Sequence, residues 1–253
     1  MSLRADLGGR RVLVTGASSG IGAATCRSIV ACGGTVAMLA RREERLEELR
    51  RALDERAVPV PCDVTDLGAL KAAVEEASRT LGGLDGVVTV AGKSMVGTIA
   101  SGTPERWQEL INLNLLAPLA TIRYAVDHFD SGGRRDVVIV ASTGAVTPMV
   151  GVGIYAATKR GLRAAFDALR LELAPTGVNV SCVMPGMFDT EGLTIEGMAF
   201  DGDIPPSDIP YFAGAGGPGS AGDLADAIAF VISRPEGFCI NEIVVRPTRQ
   251  LNP

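Results

Sequence analysis

Arg11-Val12-Leu13-Val14-Thr15-Gly16-Ala17-Ser18-Ser19-Gly20-Ile21-Gly22 begins as a buried strand and ends as a turn with glycines in the spacing G-x-x-x-G-x-G. Those glycines meet three needs: a tight turn, room for the backbone to approach a phosphate, and close packing of the next helix on the strand. The free N–H groups and the dipole of a helix start then favour an anion. The spacing differs from the G-x-G-x-x-G of the common dinucleotide fold. Its weight comes from its place, between the first strand and the first helix. Gly16, Gly20 and Gly22, with Ser18, Ser19 and Ile21 between them, are candidate contacts to a phosphate-bearing cofactor.

Outward from that turn, runs rich in Val, Ile, Leu and Ala recur at 11–15, 35–40, 58–62, 86–90, 136–141, 178–183 and 239–245. They show little polar alternation, which is how strands buried on both faces of a parallel sheet read. Helical patterns fill the intervals at about 20–32, 43–55, 66–81, 104–128, 154–174 and 221–233. The alternation predicts an α/β fold, a Rossmann-like doubly wound three-layer sandwich with a seven-stranded parallel sheet. Seven strands use nearly the whole chain, so one domain is expected over 1–253. Residues 187–220 break the pattern, with Pro205, Pro206, Pro210 and Pro218 among many glycines. A loop of that length after a strand end is expected to form a lid over a substrate.

The bulk composition narrows the function. Hydrophobic residues make up 47% and aromatics only 4%, so the core must rest on aliphatic side chains. A net charge of −5 argues against a nucleic-acid partner, which calls for a basic face. Cys26, Cys32, Cys62, Cys182 and Cys239 form no CxxC pair, so no metal site and no disulfide framework is expected. Residues 1–9 carry Arg4 and Asp6 and lack the apolar run of a signal peptide. No uncharged apolar stretch reaches the ~18 residues of a membrane span. A cytoplasmic protein with reduced cysteines is expected, without a membrane partner.

A site for NAD would place an Asp or Glu about 20 residues past the glycines, on the ribose 2′-hydroxyl. Here Arg41 and Arg42 follow the second strand instead. Paired guanidiniums there favour a 2′-phosphate by charge and by forked hydrogen bonds. The alternative is a solvated start to the next helix. A cation at a helix start sits poorly with the dipole, and the reading is NADPH over NADH.

Tyr155 and Lys159 stand at i and i+4 on the helical stretch from Ile154, so they share a face. An ammonium favours the phenolate and lowers a phenol that ordinarily titrates near ~10. Such a phenol can give a proton to a carbonyl or take one from an alcohol. Lys159 is one of three lysines, with Lys71 and Lys93. Ser142 follows the strand at 136–141 and could hold a carbonyl oxygen beside the Tyr hydroxyl, or could simply cap a turn.

Taken in order, the Thr15–Gly22 turn, Asp63, Ala91-Gly92, Asn114, Ser142, Tyr155/Lys159 and Pro185-Gly186 with Thr190 resemble the short-chain dehydrogenase/reductase family, over residues ~9–247. The resemblance implies a Ser142–Tyr155–Lys159 triad extended by Asn114, with Asn112 as the alternative. It makes Tyr155 the acid/base, has Lys159 also hold the nicotinamide ribose, and has Asn114 keep a water in a proton relay. It puts Asp63 and Val64 beside the adenine, and Pro185, Gly186 and Thr190 at the nicotinamide. It further implies a homodimer or homotetramer built on the helices at 104–128 and 154–174, which could equally cover the sheet within one subunit.

The chain departs from the family at Thr89-Val90-Ala91-Gly92, where Asn-Asn-Ala-Gly is usual. Thr89 or backbone groups are expected to take over part of the lost hydrogen bonding. The tail Ile240–Gln250 resembles family members acting on small hydroxy acids and related aldehydes, and reads as remote from the chemistry. His128 is expected to suit a helix end rather than to catalyse. Residues 187–220 contain no Lys or Arg but carry Asp189, Glu191, Glu196, Asp201, Asp203 and Asp208, which favours neutral ketones and secondary alcohols over anionic substrates. The expected activity is therefore NADPH-dependent interconversion of a small-molecule carbonyl, ketone or aldehyde, and an alcohol. Two other readings stand beside it: a non-catalytic dinucleotide sensor or scaffold, and a reductase of acyl-carrier-bound 3-oxoacyl or polyketide chains.

Overall fold

The computed structural model describes residues 5–130, 132–147, 150–191, 199–201 and 217–250. Among these, nine strands form: β1 (Arg11–Thr15), β2 (Thr35–Ala40), β3 (Ala57–Pro61), β4 (Gly86–Thr89), β5 (Met95–Val96), β6 (Arg135–Val140), β7 (Val178–Pro185), β8 (Ala199–Phe200) and β9 (Glu242–Val245). Seven make one sheet in the order β3-β2-β1-β4-β6-β7-β9, and every pairing in it is parallel. The expected seven-stranded Rossmann-like sheet is the one observed. The short β5 and β8 pair separately.

The helices are α1 (Gly20–Ala31), α2 (Glu43–Leu53), α3 (Leu67–Leu81), α4 (Pro104–Ile111), α5 (Ala117–Val126), α6 (Gly153–Leu173) and α7 (Ala221–Ile232). They explain the unbroken apolar runs. Leu13, Leu39, Val87, Val137 and Ile139 face α3, α5 and α6, while their neighbours Val12, Val14, Met38, Val88 and Val138 face α1, α2 and α7. Successive side chains point to opposite faces, and both faces are covered. The prolines at 59 and 61 fall on β3, an edge strand where a missing ladder donor is tolerated.

Most boundaries shift from the sequence reading by a residue or two, and the differences at β7, β9 and the 104–128 helix bear on the site. β7 runs two residues past the expected 183, because Met184 and Pro185 stay in register with Val244 and Val245 of β9. β9 begins at Glu242 rather than 239. The single helix expected at 104–128 is α4 and α5 joined by a π-helical turn, Asn112–Leu116. Pro118 has no N–H to offer the Asn114 carbonyl four residues back, which breaks the α register there. Such widened turns recur at functional sites.

At the amino end of the sheet, Asp136 at the start of β6 is fully buried between two guanidiniums. Arg10 Nη2 lies 2.6 Å from Oδ2, and Arg134 Nη2 lies 2.6 Å from Oδ1. Burial pushes the Asp136 carboxyl up, against the pull of both arginines. Removing the carboxylate leaves two buried cations without their anion. Asp136→Ala is expected to lower the unfolding free energy by roughly 3–5 kcal/mol, measured by urea denaturation. Because the cluster lies at the sheet end away from the crevice, kcat/KM of the folded fraction should stay unchanged.

Candidate active site

The winding reverses between β1 and β4, and their carboxyl ends open a cavity of about 780 Å³. Its walls include Gly16, Ser18, Ser19, Gly20, Ile21 and Gly22 from the first turn. Arg41, Arg42, Asp63 and Val64 line it beyond β2 and β3, and Ala91, Gly92 and Thr190 close the near side. Residues as far apart in the chain as Gly16 and Ala199 thus meet at one crevice. Gly20 has φ +51, and a Cβ there would lie 3.0 Å from Thr190 Cγ2, so only glycine lets this turn and Thr190 approach. Among the residues that could hold a dinucleotide, this cradle at the α1 amino end fits a diphosphate.

The two arginines differ. Arg41 is largely exposed, with Nη1 3.8 Å from Asp63 Oδ2. Arg42 is ordered across the turn: Nε donates to Ser18 Oγ at 3.1 Å, and Nη2 to Ser18 Oγ at 2.9 Å and Ser19 Oγ at 2.7 Å. Its Nη1 reaches Glu191 Oε2 at 2.8 Å, and Arg45 pairs with the other oxygen. Hydrogen bonds from Arg45 and then Arg42 pull the Glu191 carboxyl down to about 2. Arg45 did not stand out in the sequence, although it lies three residues past Arg42 on the same helix face.

A smaller cavity of about 120 Å³ shares Ile21, Val90, Gly92, Lys93 and Thr190 with the first. Ser142, Tyr155, Lys159, Pro185 and Gly186 line it. Ser142 caps a turn and also borders the phenol. Its Oγ accepts from Gly144 N at 3.1 Å as a turn cap, and its side chain meets the phenol of Tyr155. Burial pushes the Tyr155 phenol up, opposed by Ser142 and Ser94. Lys159 is 5% exposed, and its Nζ donates to the Val140 carbonyl at 3.1 Å. Burial pushes this ammonium down to about 8. Asn114 lines neither cavity. Fully buried in the π turn, it grips the backbone of Lys93, accepting from its N–H and donating to its carbonyl, each at 2.9 Å. Asn112 sits on the large cavity and accepts from Gln108.

The missing asparagines are replaced from two sides. Thr89 Oγ1 donates to the Val138 carbonyl at 3.4 Å, and Thr15 Oγ1 accepts from Val90 N at 3.1 Å and Ala91 N at 3.2 Å. The tail is not remote, contrary to the sequence reading. Gln250 Oε1 accepts from Met187 N at 2.8 Å, and a Cβ on Gly186 would lie 2.2 Å from that oxygen. Neither Ser94 nor Gln250 carried a local signal, since each acquires its neighbours only through folding.

Most of the expected lid, 192–198 and 202–216, lies outside the described residues. Its described parts are tied down. Asp201 is 4% exposed and accepts from Thr103 N and Thr103 Oγ1, both at 2.8 Å, and from Trp107 Nε1 at 3.1 Å. Asp201 and Glu191 are thus committed to protein partners, and their charges count less against an anionic substrate than composition suggested.

Two outcomes follow from these burials. Below pH 8 the buried Lys159 charge costs on the order of 3 kcal/mol relative to an unfolded chain titrating near 10.5, and the cost disappears as pH rises through that range. Lys159→Met should therefore melt above the wild type at pH 7, by calorimetry, and the gap should close between pH 8 and 10.5. Asp201 acts with the opposite sign. Hydrogen bonds, first from Thr103 N, hold its carboxyl below the ordinary range, so its stabilisation is complete above the unfolded value and lost on acidification. Trp107 is the sole tryptophan, and Asp201→Asn should remove an acid transition in its fluorescence.

Comparison with known proteins agrees with this fold. The family model for short chain dehydrogenase matches residues 10–196. An uncharacterized oxidoreductase of Staphylococcus haemolyticus is 30% identical over 243 residues, covering 96% of this chain and 99% of the relative. Glycine betaine reductase ATRR of Emericella nidulans is 33% identical over 249 residues, covering 96% of this chain, but the chain spans only 19% of that protein's length. The structure of a short chain dehydrogenase from Burkholderia cenocepacia in complex with NADP superposes with a TM-score of 0.80 at 30% identity, over 95% of this chain and 97% of that one. Matched along nearly its whole length and sharing the fold, the chain belongs to the short-chain dehydrogenase/reductase family, as an oxidoreductase of that type.

Proposed function

We propose that the protein is an NADPH-dependent oxidoreductase that interconverts a ketone or aldehyde and an alcohol, with Tyr155 as the acid/base. The observation that carries this is the meeting of Ser142, Tyr155 and Lys159 at a cavity joined to the glycine-turn crevice. A bound nicotinamide dinucleotide would supply or accept the hydride, and that chemistry is the cofactor's own. The Gly16–Gly22 turn holds its diphosphate, Arg41 and Arg42 with Ser18 its 2′-phosphate, and Asp63 and Val64 its adenine. Ala91, Gly92, Pro185, Gly186 and Thr190 border the ribose and nicotinamide. The NADP complex of the Burkholderia relative supports the choice of cofactor.

Each polar side chain then has a separate task. The Ser142 Oγ already accepts from Gly144 N, and its own proton, directed at the Tyr155 phenol here, is the one it would turn to the substrate oxygen. Tyr155 passes a proton to that oxygen in reduction and takes it back in oxidation. The Tyr155 phenol is raised by burial rather than lowered by Lys159 as its spacing suggested, and the Lys159 ammonium, held by a neutral carbonyl rather than an anion, is left to meet a ribose hydroxyl. The Asn114 side chain is committed to Lys93 and Thr158. It acts by holding the π turn and Lys93 in place, and a relay water would rest on main-chain groups.

A homodimer or homotetramer is supported by the exposure of Ile111, Leu116 and Leu171 on the helices flanking the site. A cytoplasmic setting is supported by five unpaired cysteines. Among the described residues no helix is long and apolar enough to cross a membrane.

Tyr155→Phe is expected to lower kcat/KM by about 10²–10⁴-fold while the Kd for NADPH stays within the error of the titration. Full turnover in this variant would overturn Tyr155 as the acid/base, whereas a wild type that binds NADPH without turning over would leave the sensor reading in its place. Arg42→Ala is expected to weaken NADPH by about tenfold or more and to leave NADH unaffected, measured by cofactor fluorescence. Equal losses for both cofactors would overturn the preference.

A further inference from the structure

The guanidinium assigned to the 2′-phosphate is already engaged by an anion of the chain itself. Glu191 follows Thr190, whose methyl group packs against Gly20, so its carboxylate is fixed at the mouth of the large cavity. One oxygen lies 2.8 Å from Arg42 Nη1, and the other pairs with Arg45. The remaining nitrogens of Arg42 are on Ser18 and Ser19. Each of its three nitrogens therefore has a partner, and an incoming phosphate must replace one of them.

We propose that Glu191 is a specificity-determining residue for the cofactor, an internal anion on Arg42 and Arg45 that is displaced by a 2′-phosphate and left in place by a 2′-hydroxyl. The proposal rests on the reading of Arg42 as a phosphate ligand. A phosphate monoester carries more charge than a carboxylate and offers more acceptor oxygens, so it can win both arginines. A hydroxyl carries no charge and cannot. Affinity for a ligand whose binding-competent state is only partly populated falls by that fraction. Glu191 therefore lowers affinity for the phosphorylated cofactor and not for its unphosphorylated counterpart.

The two nucleotides 2′,5′-ADP and 5′-AMP isolate the phosphate without the nicotinamide. Both are titrated calorimetrically into the full-length wild type and Glu191→Gln at one fixed ionic strength. Glu191 is exposed, and the substitution preserves its size. The variant is expected to bind 2′,5′-ADP roughly fivefold tighter, the worth of two exposed ion pairs, with 5′-AMP unchanged. Unchanged or weaker 2′,5′-ADP binding, or an equal gain for both nucleotides, would overturn the proposal while leaving Arg42 as a phosphate ligand. A wild type that binds 2′,5′-ADP no better than 5′-AMP would overturn the Arg42 reading, and the proposal with it.

Discussion

A parallel sheet cannot be closed by tight turns, because each strand must be followed by a crossover that returns the chain to its starting edge. In this protein the crossovers after β1 and β2 pack α1 and α2 on one face, whereas the crossover after β4 packs α4 and α5 towards the other. The carboxyl ends of β1 and β4 therefore part company, and nothing in the sheet itself fills the space between them. The glycine turn, the Thr15 hydroxyl and the Ala91–Gly92 segment border that gap. The site follows from the way two buried faces are wound.

Charge is handled differently at the two ends of the sheet. At the amino end, Arg10, Arg11, Arg134, Asp85 and Asp136 form close ion pairs that tie the starts of β1, β4 and β6 together. At the carboxyl end, the buried Lys159 is held by a carbonyl, and Asn114 by backbone groups. A charge neutralised by a fixed anion has little field to spare, while one held by neutral dipoles in a dry cavity keeps it for a reacting group. The cost of that arrangement is the depressed Lys159 ammonium, a buried charge kept at the expense of stability.

Much of the fold was legible before any coordinates. Five-residue apolar runs, the glycine turn and the i, i+4 spacing of Tyr155 and Lys159 are relations between residues close in the chain, and periodicity reports such relations directly. The same holds for Arg41 and Arg42 just after β2. The π turn was not seen, although Pro118 held its cause, because a lost i to i−4 donor inside an otherwise helical pattern reads only as a mild irregularity. Ser142 was placed correctly at a strand end, but its double use as cap and as neighbour of the phenol required the turn at 143–145 to be seen.

Order along the chain was enough to specify the layered sheet, the glycine turn at its first crossover and the shared helix face of Tyr155 and Lys159, since each is written in short stretches whose geometry is nearly local. Folding alone settled which distant groups support them. Thr15 replaces amides expected near 89, Gln250 reaches the turn after β7, Asp201 anchors the start of α4, and Glu191 closes on Arg42 and Arg45. These partners are separated by 75 to 149 positions in the first and last cases. Contacts of that range depend on the order in which strands pair and on the faces to which their crossovers are sent. No local pattern of residues records those choices, because they are made by the burial of the whole sheet at once.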